Sequence, residues 1–479
     1  MKSIIFSETV FVLKKIVCFA ALFVVVSTLT IFTGCSEEAR VDGYEISCEY
    51  RDGVLSLKET ATFSCPADGV TEAVFNLYPL AFTSDESGCT LSDDEKGRVD
   101  VNKISLFDKP ADHVVDNTHI TVLLDRSYKK GETIEIGFNI DLTLPKCDER
   151  FSVNENTVNF GNFYPILAKY EDGKFTACDH HPFGDPFYSG VADYKVAVKV
   201  PSIYTVAAGV TASSLDNDDE MTTYFYNAKN LRDFSFVLSD KYEVKSEKWG
   251  NKSINYYFYE DEQPDETFKV IVDALEFFSK KFGDYPYESY SVAKTRFSAG
   301  GMEYPLLSYL SDRLDKEQYL YALVHETAHQ WWYSAVGNDQ INESYLDESL
   351  AEYSTYLFFD ERPELNISGD GLIKSAINAA NVCENSVLKA DDSFVPKVKA
   401  PLSYFKTEYV YVNMVYNKGL VMMKAAENAV GKKRMISMLS KYYSRYLFKE
   451  ADTDDFLSAM GDAAPIITSF LEGKTRVYL

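Results

Sequence analysis

The hydrophobic period of this chain changes once, near residue 260, and that change limits the folds open to it. From about 40 to 258 apolar and polar residues alternate. Ile134, Ile136, Phe138, Ile140, Leu142 and Leu144 are separated by Glu135, Gly137, Asn139, Asp141 and Thr143. Tyr194, Val196, Val198 and Val200 repeat the pattern and stop at Pro201. A period of two marks strands with one buried face, and many such strands between turn clusters make a sheet-rich domain. After Asp261 the period lengthens to that of a helix. Phe268, Ile271, Val272, Leu275, Phe278 and Phe282 form one stripe, with Pro264 at its start and Gly283 at its end. Further helices are expected at 315–336, 344–361, 371–382, 407–430, 432–446 and 453–460. The fold class is therefore α+β and multidomain: a β-rich domain over 35–255, then a mainly helical domain over 256–479. Ile254 to Tyr259 reads either as the last strand of the first domain or as the first of the second.

At 479 residues the chain exceeds one ordinary hydrophobic core, which agrees with two or three domains. Its formal charge of −25 would repel phosphate backbones, so nucleic-acid binding through a basic face is excluded as a main function. The same charge opposes direct adhesion to anionic lipid, and membrane attachment needs a dedicated device. Residues 1–34 supply one. Lys2, Lys14 and Lys15 precede an apolar run from Ile16 to Phe32, which reads as an export signal. The run ends in Phe32-Thr33-Gly34-Cys35, similar to the lipobox of bacterial lipoproteins, with Phe32 where Leu is usual. The expectation is cleavage before Cys35, lipidation of Cys35 and an extracytoplasmic, membrane-anchored protein; an uncleaved signal anchor is the alternative. No pair among Cys48, Cys65, Cys89, Cys147, Cys178 and Cys383 has zinc-knuckle spacing.

The helical half carries the chemistry. His325-Glu326-Thr327-Ala328-His329 places two imidazoles at i and i+4, on one helical face, where both can reach one ion. Glu326 lies beside the first, where a carboxylate can take a proton from an activated water. Taken alone, the segment also admits the lesser reading of a helix with two surface or core histidines. A catalytic zinc keeps one position open and takes three protein ligands, and the next helix offers the third in Glu348. Eighteen residues separate Glu348 from His329, enough to end one helix, turn and begin another.

This combination resembles the gluzincin metallopeptidases, and the 18-residue gap is that of the M1 aminopeptidase family. Gly300-Gly301-Met302-Glu303-Tyr304 is similar to the family's exopeptidase motif, with Tyr304 in place of the usual Asn; Glu303 lies 22 residues before His325. Val415-Tyr416-Asn417-Lys418-Gly419 is similar to the segment bearing the family's catalytic tyrosine, with Asn417 in place of Glu. Asp347 and Ser349 likewise depart from the usual neighbours of the third ligand. The resemblance implies a saddle-shaped β domain followed by a thermolysin-like zinc peptidase domain, in a short form without the large C-terminal helical domain. It implies one Zn²⁺ per chain on His325, His329 and Glu348, with Glu326 as general base and Tyr416 as oxyanion donor. Tyr411 is the alternative for that last role. Glu303 would hold the substrate's free α-amine, and Gly300, Gly301 and Met302 would line the substrate's path. The expected activity is removal of N-terminal residues from peptides, without an obligate protein partner. A zinc endopeptidase and a catalytically silent binding lipoprotein are the rivals. Glu352, one turn beyond Glu348, is expected to be a solvated helix carboxylate. His180 and His181 are expected to be loop residues facing cleft or solvent.

Overall fold

The structure, a computed structural model, describes residues 40–84, 88–218 and 220–478. The apolar run and Cys35, on which the export and lipid-anchor expectations rest, lie outside the described residues. No helix among the described residues is long and apolar enough to cross a membrane.

Alternation does what it predicts in the first half. Strand Thr133–Thr143 turns Ile134, Ile136, Phe138, Ile140 and Leu142 into the core and the residues between them outward. It lies inside an eight-stranded sheet. The spatial order is Ser214–Asn217, Met221–Leu231, Ala192–Pro201, Arg40–Arg51, Val54–Ser64, Thr133–Thr143, Arg98–Leu106, Lys109–Pro110. Its one parallel pairing joins Arg40–Arg51 to Ala192–Pro201. Two four-stranded sheets, one built around Val158–Phe160 and Phe236–Ser239, the other around Val70–Asn76 and His119–Tyr128, and a two-stranded one of Lys169–Glu171 with Lys174–Thr176 complete this half among the described residues.

A five-stranded mixed sheet opens the second half, in the order Glu243–Trp249, Lys252–Phe258, Ser289–Thr295, Leu307–Ser311, Gly301–Met302. Lys252–Phe258 runs parallel to Ser289–Thr295, with Ile254 opposite Tyr290. The division expected at 255/256 therefore falls inside a strand that belongs to the second sheet. The first helix, Pro264–Phe282, buries Phe268, Ile271, Leu275, Phe278 and Phe282, each contributing roughly 1.5–3 kcal/mol. Gly283 ends it at φ 136°, where a Cβ would strike the Tyr443 ring.

Three expected helices differ from the observed ones, and the one expected over 371–382 runs on to Ala390, as Gly369–Ala390. The helix expected over 315–336 stops at Ala328. Trp331 and Trp332 are both fully buried and donate to Gly283 O and Ser354 Oγ, each at 2.9 Å, which takes the backbone off the helical track. The turn passes through Tyr333 at φ 111°, and Val336–Gly337 then pairs with Lys449–Glu450. The helix expected over 407–430 is interrupted by a π turn at Asn413–Asn417, between helices Glu408–Val412 and Lys418–Val430.

Candidate active site

Asp315 starts the helix Lys316–Ala328 with a capping box: its side chain accepts from Gln318 N at 2.9 Å, and its N–H donates to Gln318 Oε1 at 3.2 Å. Three turns later His325 and Glu326 face inward. His329 is the residue just past the helix, yet its backbone stays helical (φ −63°, ψ −13°) and its N–H reaches His325 O, so the i, i+4 alignment survives. Glu348 comes from the helix Tyr345–Asp360, which is buried on every face from Tyr345 to Phe359.

The three donor atoms form a small triangle. His325 Nε2 lies 3.0 Å from His329 Nε2 and 3.2 Å from Glu348 Oε2, and His329 Nε2 lies 3.3 Å from the same oxygen. A tetrahedral zinc with bonds of about 2.0–2.2 Å places its ligand atoms roughly 3.3 Å apart. The donor set therefore fits Zn²⁺ in both chemistry and size. Both imidazoles are also oriented from behind. His329 Nδ1 lies 3.0 Å from Trp332 O, and Glu352 Oε1 lies 3.2 Å from His325 Nδ1. Glu352 is thus not the solvated carboxylate expected. It is buried, because its helix is buried on all sides, and it also accepts from the Tyr321 hydroxyl.

Electrostatics agree with a cation at this point. Burial alone would strip the proton from His329, but Glu348 and Glu303 overcome it and raise the group to about 10. Burial likewise opposes ionisation of Glu348, and the two imidazoles reverse that, holding it at about 2. Glu326 is the opposite case: burial lifts it to about 7 against the pull of both histidines. Its Oε2 is buried without a hydrogen-bond partner among the described residues. A carboxylate near 7 with a free oxygen is suited to general-base work.

A cavity of about 770 Å³ contains these groups and is walled by both halves of the chain. The strand Gly301–Met302 forms its edge. A Cβ on Gly301 would fall 2.5 Å from Glu326 Oε1, so only glycine lets the strand pass this close to the base. Gly300 is exposed at the mouth, and Glu303 faces the interior. Glu303 is 3% exposed and accepts from Gln340 Nε2 at 2.7 Å; burial first, then Asp185, pushes its carboxyl well above the usual range. Met302 does not line the cavity as expected. Strand alternation turns it away, and its sulfur sits 3.2 Å from Arg150 Nη1. Tyr416 does line it, its ring stacked on His325 at 5.9 Å and 13°. Tyr411 is beside it, with ring centroids 5.7 Å apart. His180 and His181 are in the wall.

Several residues in this wall or directly behind it carried no sequence signal. Asp185, from the Gly184-Asp185-Pro186 turn of the β half, brings an oxygen within 4.8 Å of Glu303 and Glu348 and pairs with Arg150 at 2.8 Å. Gln340 donates to both Glu303 and Asp347, the latter at 2.6 Å. Asp347 directly precedes Glu348, and that adjacency was the one available hint; burial lifts it to about 7.

The chain thus joins a β-rich half to a helical half, with three metal-donor side chains in the cavity they wall. Residues 266–473 match the peptidase family M1 domain. Aminopeptidase 2, mitochondrial, of Saccharomyces cerevisiae is 28% identical over 338 residues, covering 64% of this chain and 35% of that protein. Aminopeptidase M1-B of Oryza sativa subsp. japonica is 22% identical over 369 residues, 70% of this chain and 41% of its own length. The chain thus spans well under half of either relative. The crystal structure of the M1 zinc metallopeptidase from Deinococcus radiodurans aligns with a TM-score of 0.65 at 17% identity, covering 91% of this chain and 95% of that one. Residues 266–473 thus carry a peptidase family M1 domain.

Proposed function

We propose that the chain is a zinc-dependent aminopeptidase that holds one Zn²⁺ on His325, His329 and Glu348. The observation that carries this reading is the buried Glu303 on the strand edge, in the same cavity as the metal donors. A free α-amine is a cation at neutral pH and needs a fixed carboxylate to enter a metal centre. When bound, zinc acidifies water and polarises the scissile carbonyl. Glu326 takes the proton of the attacking water on Oε2 and passes it to the leaving amine. The Tyr416 hydroxyl donates to the oxygen that gains charge as the carbonyl becomes tetrahedral. Gly301 gives the substrate backbone close approach, and Gln340 holds the Glu303 carboxyl toward the α-amine. Chelation is expected to abolish turnover and added Zn²⁺ to restore it. In a paired assay of one peptide with free and acetylated N-termini, the free form is cleaved far faster. Equal rates would overturn the reading in favour of an endopeptidase.

We propose further that the protein is exported and tethered through lipidated Cys35. Support comes from the charged start, the apolar run and the Phe-Thr-Gly-Cys ending. Cys35→Ala should move the protein out of the membrane fraction and abolish fatty-acid labelling; unchanged labelling would overturn the anchor.

A further inference from the structure

Tyr411 and Tyr416 both line the cleft although they are five positions apart. In an α-helix that spacing leaves two side chains about 140° apart around the axis. The π turn at Asn413–Asn417 reduces the difference: its hydrogen bonds run i to i+5, so it takes more residues to complete a turn and brings Tyr416 back toward the face of Tyr411. A π turn is a rare backbone geometry, and contacts outside the segment hold this one. Ser349, next to Glu348, donates to Val415 O at 2.9 Å. Gly419 makes that approach possible, since a Cβ there would fall 2.1 Å from Ser349 Oγ.

The second hold is on the other side. Lys418, the first residue after the π turn, is fully buried and meets the equally buried Glu384 at 2.6 Å. Its ammonium also donates to Pro396 O at 2.7 Å. The other Glu384 oxygen accepts from Val477 N at 3.3 Å and faces Arg476 Nε at 3.5 Å, while Asn381 Nδ2 donates to Val477 O at 2.7 Å. A surface ion pair would fix no orientation; a buried, multiply bonded one does.

We propose that the Lys418–Glu384 pair, closed by Arg476 and Val477, is the device that positions Tyr416 over His325. Lys418 and Glu384 touch no reacting atom; they act through the register of the π turn. This rests on the aminopeptidase reading of the cleft, and the test separates the two. The paired variant Lys418→Met with Glu384→Leu removes both charges together, so no unpaired ion is left in the core. Removing a precisely placed donor or shifting it by about 1 Å lowers a rate on the order of 100-fold. The paired variant should therefore lower kcat about 10–100-fold with KM within about twofold. Zinc content and the unfolding midpoint report that the centre and fold survive. In a Tyr416→Phe background the same substitutions should change kcat by no more than about twofold, since the group they position is already gone. Arg476→Ala, at the partly exposed outer member, should give a smaller kcat loss that vanishes in the same background; it decides the matter if the paired variant does not fold. An equal loss in both backgrounds, a loss confined to KM, or no loss overturns the proposal. If the wild-type chain cleaves no peptide, the aminopeptidase reading fails. Amide hydrogen exchange over 413–417 then decides the positioning alone: faster exchange in the paired variant with 345–360 unchanged supports it, and unchanged exchange overturns it.

Discussion

Two buried clusters of charge lie at the junction of the β and helical halves, and they are built differently. At the first, Arg232 is 1% exposed and every arm is used: Nε to Tyr333 O at 2.8 Å, Nη1 to Ser189 O at 3.0 Å and to Glu450, Nη2 to Lys449 O at 2.8 Å. Lys169 meets the other Glu450 oxygen at 3.2 Å, and burial of Glu450 is outweighed by its two cations, which keep it ionised. In the second cluster Asp185, Glu303, Glu326 and Glu348 line one cavity, with Asp347 behind Glu348, and they meet Arg150 and the two imidazoles. Glu326 and Asp347 are lifted to about 7 by burial, and Glu326 Oε2 has no partner among the described residues. The contrast shows how burial serves two ends. Where donors and acceptors close on each other, buried charge fixes how two elements meet. Where they do not, the cavity keeps unmet negative charge, which on the proposed function a metal ion and a substrate amine would meet.

The sharpest way to break this comparison is to remove one group from each cluster. Glu326→Ala should lower kcat about 10²–10⁴-fold or more while zinc content and the unfolding midpoint stay as they were. Normal peptide turnover by that variant would remove Glu326 from the mechanism. Arg232→Ala should do the reverse. It leaves Glu450 buried with one cation fewer, a loss of about 3–5 kcal/mol in urea unfolding, with kcat of the folded enzyme within about twofold. An inactive but stable Arg232→Ala would show that the seam is part of the catalytic apparatus after all.

Glu303→Ala sharpens the assignment of the unmet charge. A charge-assisted hydrogen bond contributes about 1.5–3 kcal/mol, so kcat/KM for free-amine peptides should fall roughly 10–150-fold, with little change for acetylated ones. Equal damage to both substrates would mean that Glu303 does not recognise the amine.

The smallest effect expected lies in the β half, at Glu59. It is 3% exposed, opposite Ile46 and Phe138 in the eight-stranded sheet, and neither oxygen has a partner among the described residues. Burial raises its carboxyl well above the ordinary 4.5. The folded chain therefore keeps this proton to higher pH than the unfolded chain, and the stability it brings falls as pH rises from the ordinary value toward the raised one. Glu59→Met should be stabilising by about 1–3 kcal/mol at pH 7, with the gain shrinking near pH 4. A gain that does not depend on pH, measured by urea unfolding at both values, would place the effect in packing instead.

Much of the site is legible along the chain. The i, i+4 spacing of His325 and His329, with Glu326 beside the first, is visible in the sequence, and the helical backbone persists one residue past Ala328, which keeps both imidazoles on one side. Glu348 follows from having one turn between two helices. By contrast, Glu352 was expected to be solvated because sequence spacing says which helical face a residue shares but not whether that face is covered. Met302 and the early end of the metal helix were misread for a related reason: which side of a strand meets the cleft, and where two tryptophans find room, depend on distant packing.

What the sequence by itself determined was the set of local geometries: alternating strands, then helices, and two imidazoles and a carboxylate at spacings that allow one metal. These follow from backbone periods that the covalent chain imposes everywhere. Only the tertiary structure decided which carboxylates share the cavity without enough cations, that Asp185 crosses from the β half to join Glu303 and Glu348, and that a π turn clamped by Lys418 and Glu384 aims Tyr416. Those are relations between residues tens to hundreds of positions apart. Their energy arises from burial and from the partners that burial brings or withholds, and neither exists until the chain has closed on itself.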